Sequence, residues 1–166
     1  MKKKSRNYVN NKDLYDALVA YRLSNFNPNT KDAKYIGEAL LLIATKLATK
    51  PRFMSYSYKD EMIMDGMYDC MLYGVHKFDP KYTNPFAYFT QIIKQAFYRK
   101  INKERKEQYI KYKLLEEKFI VDEMDELVHT KKIVQENMQI YIRDYETAIV
   151  EKKKKDTLIG IEKFTE

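Results

Sequence analysis

From Phe86 to Ile159 the chain contains neither glycine nor proline. Those two residues punctuate every fold built from short strands and tight turns, so a stretch this long without them predicts long helices. The whole sequence holds four glycines and four prolines in 166 residues, well under the ~12% of an average protein. A β-sandwich or barrel, with a turn every few positions, is excluded by that scarcity; the expected fold class is all-α. The longest uncharged apolar run, Ala39–Ala44, is far below the ~20 residues of a bilayer span. Met1–Arg6 is basic but is followed by Asn7, Asn10 and Asn11, so no signal peptide is expected. Cys70 stands alone, which rules out a disulfide within the chain and suits a reducing cytoplasm. One cysteine and two histidines, His76 and His129, cannot build the usual zinc site. No cofactor or metal is expected.

Capping residues divide the sequence into helices. Asn10 or Asn11 opens a first helix ending near Leu23, with Leu14, Ala17, Leu18 and Tyr21 on one stripe. A second fits Lys34–Thr49 through Ile36, Leu40, Ile43, Ala44 and Leu47, and Pro51 ends it. Ser57 with Asp60 reads as a capping box for a third, Tyr58–His76. Asn84 followed by Pro85 is an N-cap with proline at the first helical position. Beyond it, Glu116–Glu126 is acidic, and Lys131–Tyr145 is helical in period through Ile133, Val134, Met138, Tyr141, Ile142 and Tyr145. Lys152–Lys155 reads as a solvated hinge. The divisions expected are 1–115, a helical extension over 116–155, and a hydrophobic peptide over 156–166.

Chemistry enters through charge and aromatics. The formal net charge is +7, which suggests an acidic partner such as nucleic acid. There are 15 tyrosines and no tryptophan, a profile that suits either a compact core or a base-stacking surface. No phosphate loop, nucleophile elbow or HExxH motif is present, so no enzyme activity is expected. At 100° per residue, the helix from Asn84 gathers Phe86, Phe89, Ile93, Ala96, Phe97 and Ile101 on a core stripe. Tyr88, Gln91, Gln95, Tyr98, Arg99, Asn102 and Lys106 gather opposite, a mixture able to stack on bases, hydrogen-bond their edges and neutralise phosphate. A plain solvated face with two incidental tyrosines fits the same pattern. Lys94–Lys106 carries six cations against Glu104, which favours nucleic acid. Glu61, Asp65 and Asp69 recur every four residues beside Met64 and Met67, a face suited to a basic protein helix or simply to solvent.

Glu61–Lys106 resembles the second region of the bacterial sigma factors. Phe78-Asp79-Pro80 matches that family's turn, and Tyr88, Ile93, Lys94, Gln95, Ala96 and Arg99 fall into its DNA-reading helix. The spacing from Gly66 to Phe78, and the loop after Pro80, each differ by about one residue from the main family. The closer similarity is to the small, divergent sigma factors of late transcription in T-even-type bacteriophages. It rests on Tyr8–Leu14, Ile36–Ala44, Lys59–Gly66, Asn84–Gln91 and Ile101–Glu107, about two-thirds of the chain in order. The resemblance implies promoter minus-ten DNA binding by Tyr88, Gln91, Lys94, Gln95, Tyr98, Arg99 and Lys103. It implies docking on the clamp coiled coil of core RNA polymerase by Glu61, Met64, Asp65 and Met67. It also implies that Leu158, Ile161 and Phe164 dock on a replication sliding clamp. The family's tryptophan pair is replaced by Gln91 and Ile92, so melting would lean on Tyr88 and on an activator. The rivals are a basic architectural or repressor module that never touches polymerase, and a polymerase adaptor that never touches DNA.

Overall fold

The computed structural model describes residues 8–121 and 128–162. Among them there are helices and no strands: α1 (Asn11–Leu23), α2 (Lys31–Ala48), α3 (Pro51–Met54), α4 (Lys59–Asp69), α5 (Val75–Lys77), α6 (Pro85–Val121) and α7 (Val128–Glu162). A π turn, Cys70–Gly74, joins α4 to α5, so Lys59–Lys77 is one continuous rod. Among the described residues no helix is long and apolar enough to cross a membrane. The chain packs as two units, one through Asn102 and one from Lys103. That division falls inside α6, earlier than the change of composition at Glu116.

The first unit carries the core. Leu14 and Leu18 of α1, Ile36, Leu40, Ile43 and Leu47 of α2, and Phe89, Ile93, Phe97 and Ile101 of α6 are buried together with Phe53, Met62, Cys70 and Phe78. Their spacing of three and four is the apolar stripe that a 3.6-residue period requires. The expected caps form where the cap residue is adjacent to its helix. The Asn10 side chain accepts from the Lys12 amide, and Asn84 Oδ1 accepts from the Ala87 amide at 3.0 Å. α2 starts earlier than the apolar period alone suggested, because Thr30 Oγ1 accepts from the Ala33 amide at 3.1 Å. The Ser57 capping box does not form: the N-cap of α4 is Tyr58, whose side chain makes no capping hydrogen bond to the helix. Pro51 does not simply end α2 either; it opens α3, where its missing N–H is not needed.

The second unit is an antiparallel pair made by the later part of α6 and α7. Tyr109 stacks on Tyr145 with ring centroids 4.6 Å apart, and Tyr112 meets Tyr141 edge-on at 5.2 Å. Later residues of α6 therefore face earlier residues of α7. The Tyr109 hydroxyl donates to Glu146 at 2.9 Å, Lys113 lies 3.3 Å from the same carboxylate, and the Tyr141 hydroxyl donates to the Arg105 carbonyl at 3.2 Å. Among the described side chains of α7, Met138 and Ile142 are buried, while Ile133 and Val134 stay about half exposed. The Lys152–Lys155 block is not a hinge: α7 runs through it to Glu162. Lysine is a good helix former, and nothing in the block removes a backbone hydrogen bond.

Candidate nucleic-acid interface

Side chains of α1 hold the loop that delivers α6. Asn11 donates to the Thr83 carbonyl at 2.8 Å and accepts from the Phe86 amide at 3.1 Å. Tyr15 donates to the Pro80 carbonyl at 2.9 Å, and Arg22 to the Phe78 carbonyl at 3.1 Å. The Phe78-Asp79-Pro80 turn is thus tied at several points to the first helix.

Two glycines bring the rod against α6. A Cβ on Gly66 would lie 3.0 Å from Ile93 Cγ2, and one on Gly74 would lie 2.9 Å from Ile92 Cδ1 and 3.1 Å from a ring carbon of buried Phe89. Between the rod and α6 runs an open groove of about 520 Å³ lined by Asp69, Tyr73, Gly74, Lys77, Tyr88, Ile92 and Arg99. It offers aromatic and aliphatic wall, two cations and one carboxylate.

Tyr88 forms part of that wall. It is half-buried, its ring packs against Phe78 and Phe89, and its hydroxyl donates to the Gly74 carbonyl at 3.3 Å. Burial pushes its phenol above the usual range. The residue expected to stack on a base is therefore also a strut between α6 and the π turn. Tyr73 is more exposed, with Lys77 over its ring at 5.7 Å. Sequence reasoning missed both; an aromatic and a cation one turn apart, just before Phe78, were the available signal.

The cations of α6 divide into engaged and open ones. Arg99 pairs with Asp69, and Lys100 with Glu61. Two of the three carboxylates in the α4 stripe thus face this chain's own basic helix, while Asp65 is exposed and forms no ion pair among the described residues. Met67 is partly buried and packs against the core. Met64 is exposed, beside Tyr68 and Leu72 at one-turn spacing. Gln91 and Gln95 are exposed on α6. Lys94 lies 6.0 Å from the Tyr98 ring, and Tyr98 accepts a hydrogen bond from Arg52 at 2.6 Å. Lys103 lies on the same helix but in the second unit, 4.0 Å from Glu107. Leu158 and Ile161 fall within the backbone span of α7, and Phe164 lies outside the described residues.

Burial pushes the Cys70 thiol up to about 12, and its Sγ lies 4.0 Å from the Phe89 carbonyl, so it serves as core packing. Among the described residues no three histidine, cysteine or acidic side chains come together as a metal site. The helices and the groove define an all-α protein with a mixed aromatic and cationic surface. Compared with protein-family models and with curated proteins, the sequence matches none.

Proposed function

We propose that this chain is a sigma-like initiation factor, not an enzyme, that binds core RNA polymerase in the host bacterial cytoplasm and directs it to phage late promoters through the minus-ten element. The observation that carries the proposal is the groove between the π turn and α6, where Tyr73, Tyr88 and Ile92 offer surface to a base and Lys77 and Arg99 offer charge to its phosphates. The resemblance of Glu61–Lys106 to the second sigma region assigns the same helix to that task. Polymerase docking then rests on Met64 and Asp65. The C-terminal residues Leu158, Ile161 and Phe164 keep the sliding clamp as their proposed partner, delivered by helix α7 in place of a flexible tether.

The deciding experiment is transcription by core polymerase on an AT-rich promoter, with and without this protein. Protein-dependent, start-specific transcripts are expected. Tyr88→Ala should lower open-complex formation, with about 1–3 kcal/mol of stacking lost, and a pre-melted template should rescue it. If rescue fails, Tyr88 acts only as the strut to Gly74. Asp65→Lys should weaken assembly with core polymerase by about tenfold or more while helicity is kept.

A second reading is favoured by one observation. Glu61 and Asp69 are already engaged by Lys100 and Arg99, which leaves a reduced acidic face for any partner. That suits a basic DNA-binding module which does not touch polymerase. Co-purification with core polymerase separates the two readings.

A further inference from the structure

Arg52 enters α6 chemistry from 46 residues away. It leaves the short helix α3 and donates from Nη1 to the Tyr98 hydroxyl at 2.6 Å, with its guanidinium carbon 5.9 Å from the centre of that ring. Lys94, one turn before Tyr98 on α6, holds its ammonium 6.0 Å from the same ring centre. Two cations therefore share one phenol ring, and they are no more than about 12 Å apart. Neither forms an ion pair among the described residues. Further along the same helix, Arg99 and Lys100 each have a carboxylate. The difference matters, because a cation with no carboxylate beside it meets an incoming anion without first breaking an ion pair, as Arg99 and Lys100 must.

The donors also fit a particular anion. Arg52 spends one N–H on Tyr98 and keeps the rest of its fork. The Tyr98 hydroxyl accepts from Arg52 and keeps its own proton to donate. Lys94 adds three rotatable N–H donors. A planar carboxylate is satisfied by a guanidinium fork alone, whereas a tetrahedral phosphate, with oxygens in several directions, uses donors of all three kinds. Gln91 and Gln95 are exposed on the same helix and carry amides suited to base edges.

We propose that Arg52, Lys94 and Tyr98 form a phosphate seat for the backbone of a single nucleic-acid strand. The proposal rests on the nucleic-acid reading above and adds to it a residue, Arg52, that the sequence pattern of α6 does not contain. Tyr98 has two parts in the seat: it anchors Arg52 through its oxygen and donates its own proton to the phosphate.

The test uses the full chain and a fluorescently labelled oligothymidylate, with anisotropy read across a potassium chloride series. Arg52 is exposed, so Arg52→Gln should keep far-UV helicity. It should weaken binding and flatten the slope of log affinity against log salt by about 0.7, and the double variant with Lys94→Gln by about 1.4. Arg52→Lys should restore the slope. Tyr98→Phe keeps both cations, so the slope should hold while affinity falls about two- to tenfold. An unchanged slope in Arg52→Gln overturns the seat and leaves the broader reading standing. Polyglutamate bound as tightly as the oligonucleotide, with the same dependence on Arg52, overturns the strand assignment in favour of an acidic protein. Inorganic phosphate that displaces the oligonucleotide far below the concentration at which chloride does makes this a small-anion site and overturns it equally. If the unaltered protein binds no oligonucleotide, the seat and the nucleic-acid reading fall together.

Discussion

The two units of the chain bury different chemistry. The first closes over aliphatic and phenylalanine side chains, with Phe89, Phe97, Leu14, Ile36, Leu40, Ile43, Met62 and Ile93 essentially free of solvent. The second joins two helices along a seam of tyrosines, with a carboxylate and an ammonium at its edge and, among the described side chains of α7, Met138 and Ile142 buried. A hydrocarbon core is insensitive to pH and sensitive to volume. A tyrosine seam is the reverse, since its rings tolerate some exposure and its hydroxyls depend on charged partners.

The largest expected effect is on volume in the first unit. Phe97→Ala removes a fully buried ring that meets Phe53 edge-on at 5.2 Å and lies against Gly66. It should cost about 3–5 kcal/mol, measured by urea unfolding followed through hydrogen exchange of α1, α2 and α4. Tyr145→Ala in the seam should cost less, about 1–2 kcal/mol from the lost ring pair and area. Its effect should appear as faster exchange in α7 while the first unit keeps its protection. If both substitutions unfold both units together, the contrast between the units is broken.

A smaller effect is expected where the first unit uses charge. Asp69 and Arg99 are a partly exposed pair, so Asp69→Asn should change stability by less than about 1 kcal/mol. It should nevertheless raise oligonucleotide affinity, because Arg99 no longer has to leave a carboxylate to meet a phosphate. Unchanged affinity would place Arg99 outside the interface.

The smallest is the pH response of the seam. Hydrogen bonds from Tyr109 and then Lys113 hold the Glu146 carboxyl below its usual range, and the same contact raises the Tyr109 phenol. A carboxyl depressed in the folded state stabilises above its unfolded pKa of about 4.3 and loses that contribution as pH falls through the lower folded value. Mild acidification below about pH 4 should therefore loosen the Tyr109–Tyr145 stack, seen as a change in tyrosine near-UV dichroism. Glu146→Gln should remove the transition.

What the sequence made legible was local. Asn84 is read correctly, and the first cap is narrowed to Asn10 or Asn11, because an N-cap acts within its own turn; the core stripe of α6 is legible because helical period is a property of a single element. The acidic stripe shows the limit. Glu61, Asp65 and Asp69 describe a face that wants a basic helix, but only the packing reveals that α6 supplies cations to two of them. Arg52 illustrates the same limit from the other side: α3 has too few residues to display a pattern, and its meeting with Tyr98 is purely tertiary. Lys152–Lys155 looked like a break because charge runs are solvated, yet solvation does not oppose helix.

The π turn has a consequence for chain length. In a regular α-helix, positions eight apart such as Gly66 and Gly74 are about 80° out of phase, whereas positions seven apart differ by about 20°. One surplus residue in a wide turn makes eight positions behave as seven, and both glycines then meet α6. The rod can thus lose a residue between Cys70 and Gly74 by exchanging the π turn for an α turn, with its contact surface still in phase. The Gly66-to-Phe78 interval contains this adjustable joint. A residue deleted there would be absorbed in the backbone, before it could rotate the groove-lining residues away from α6.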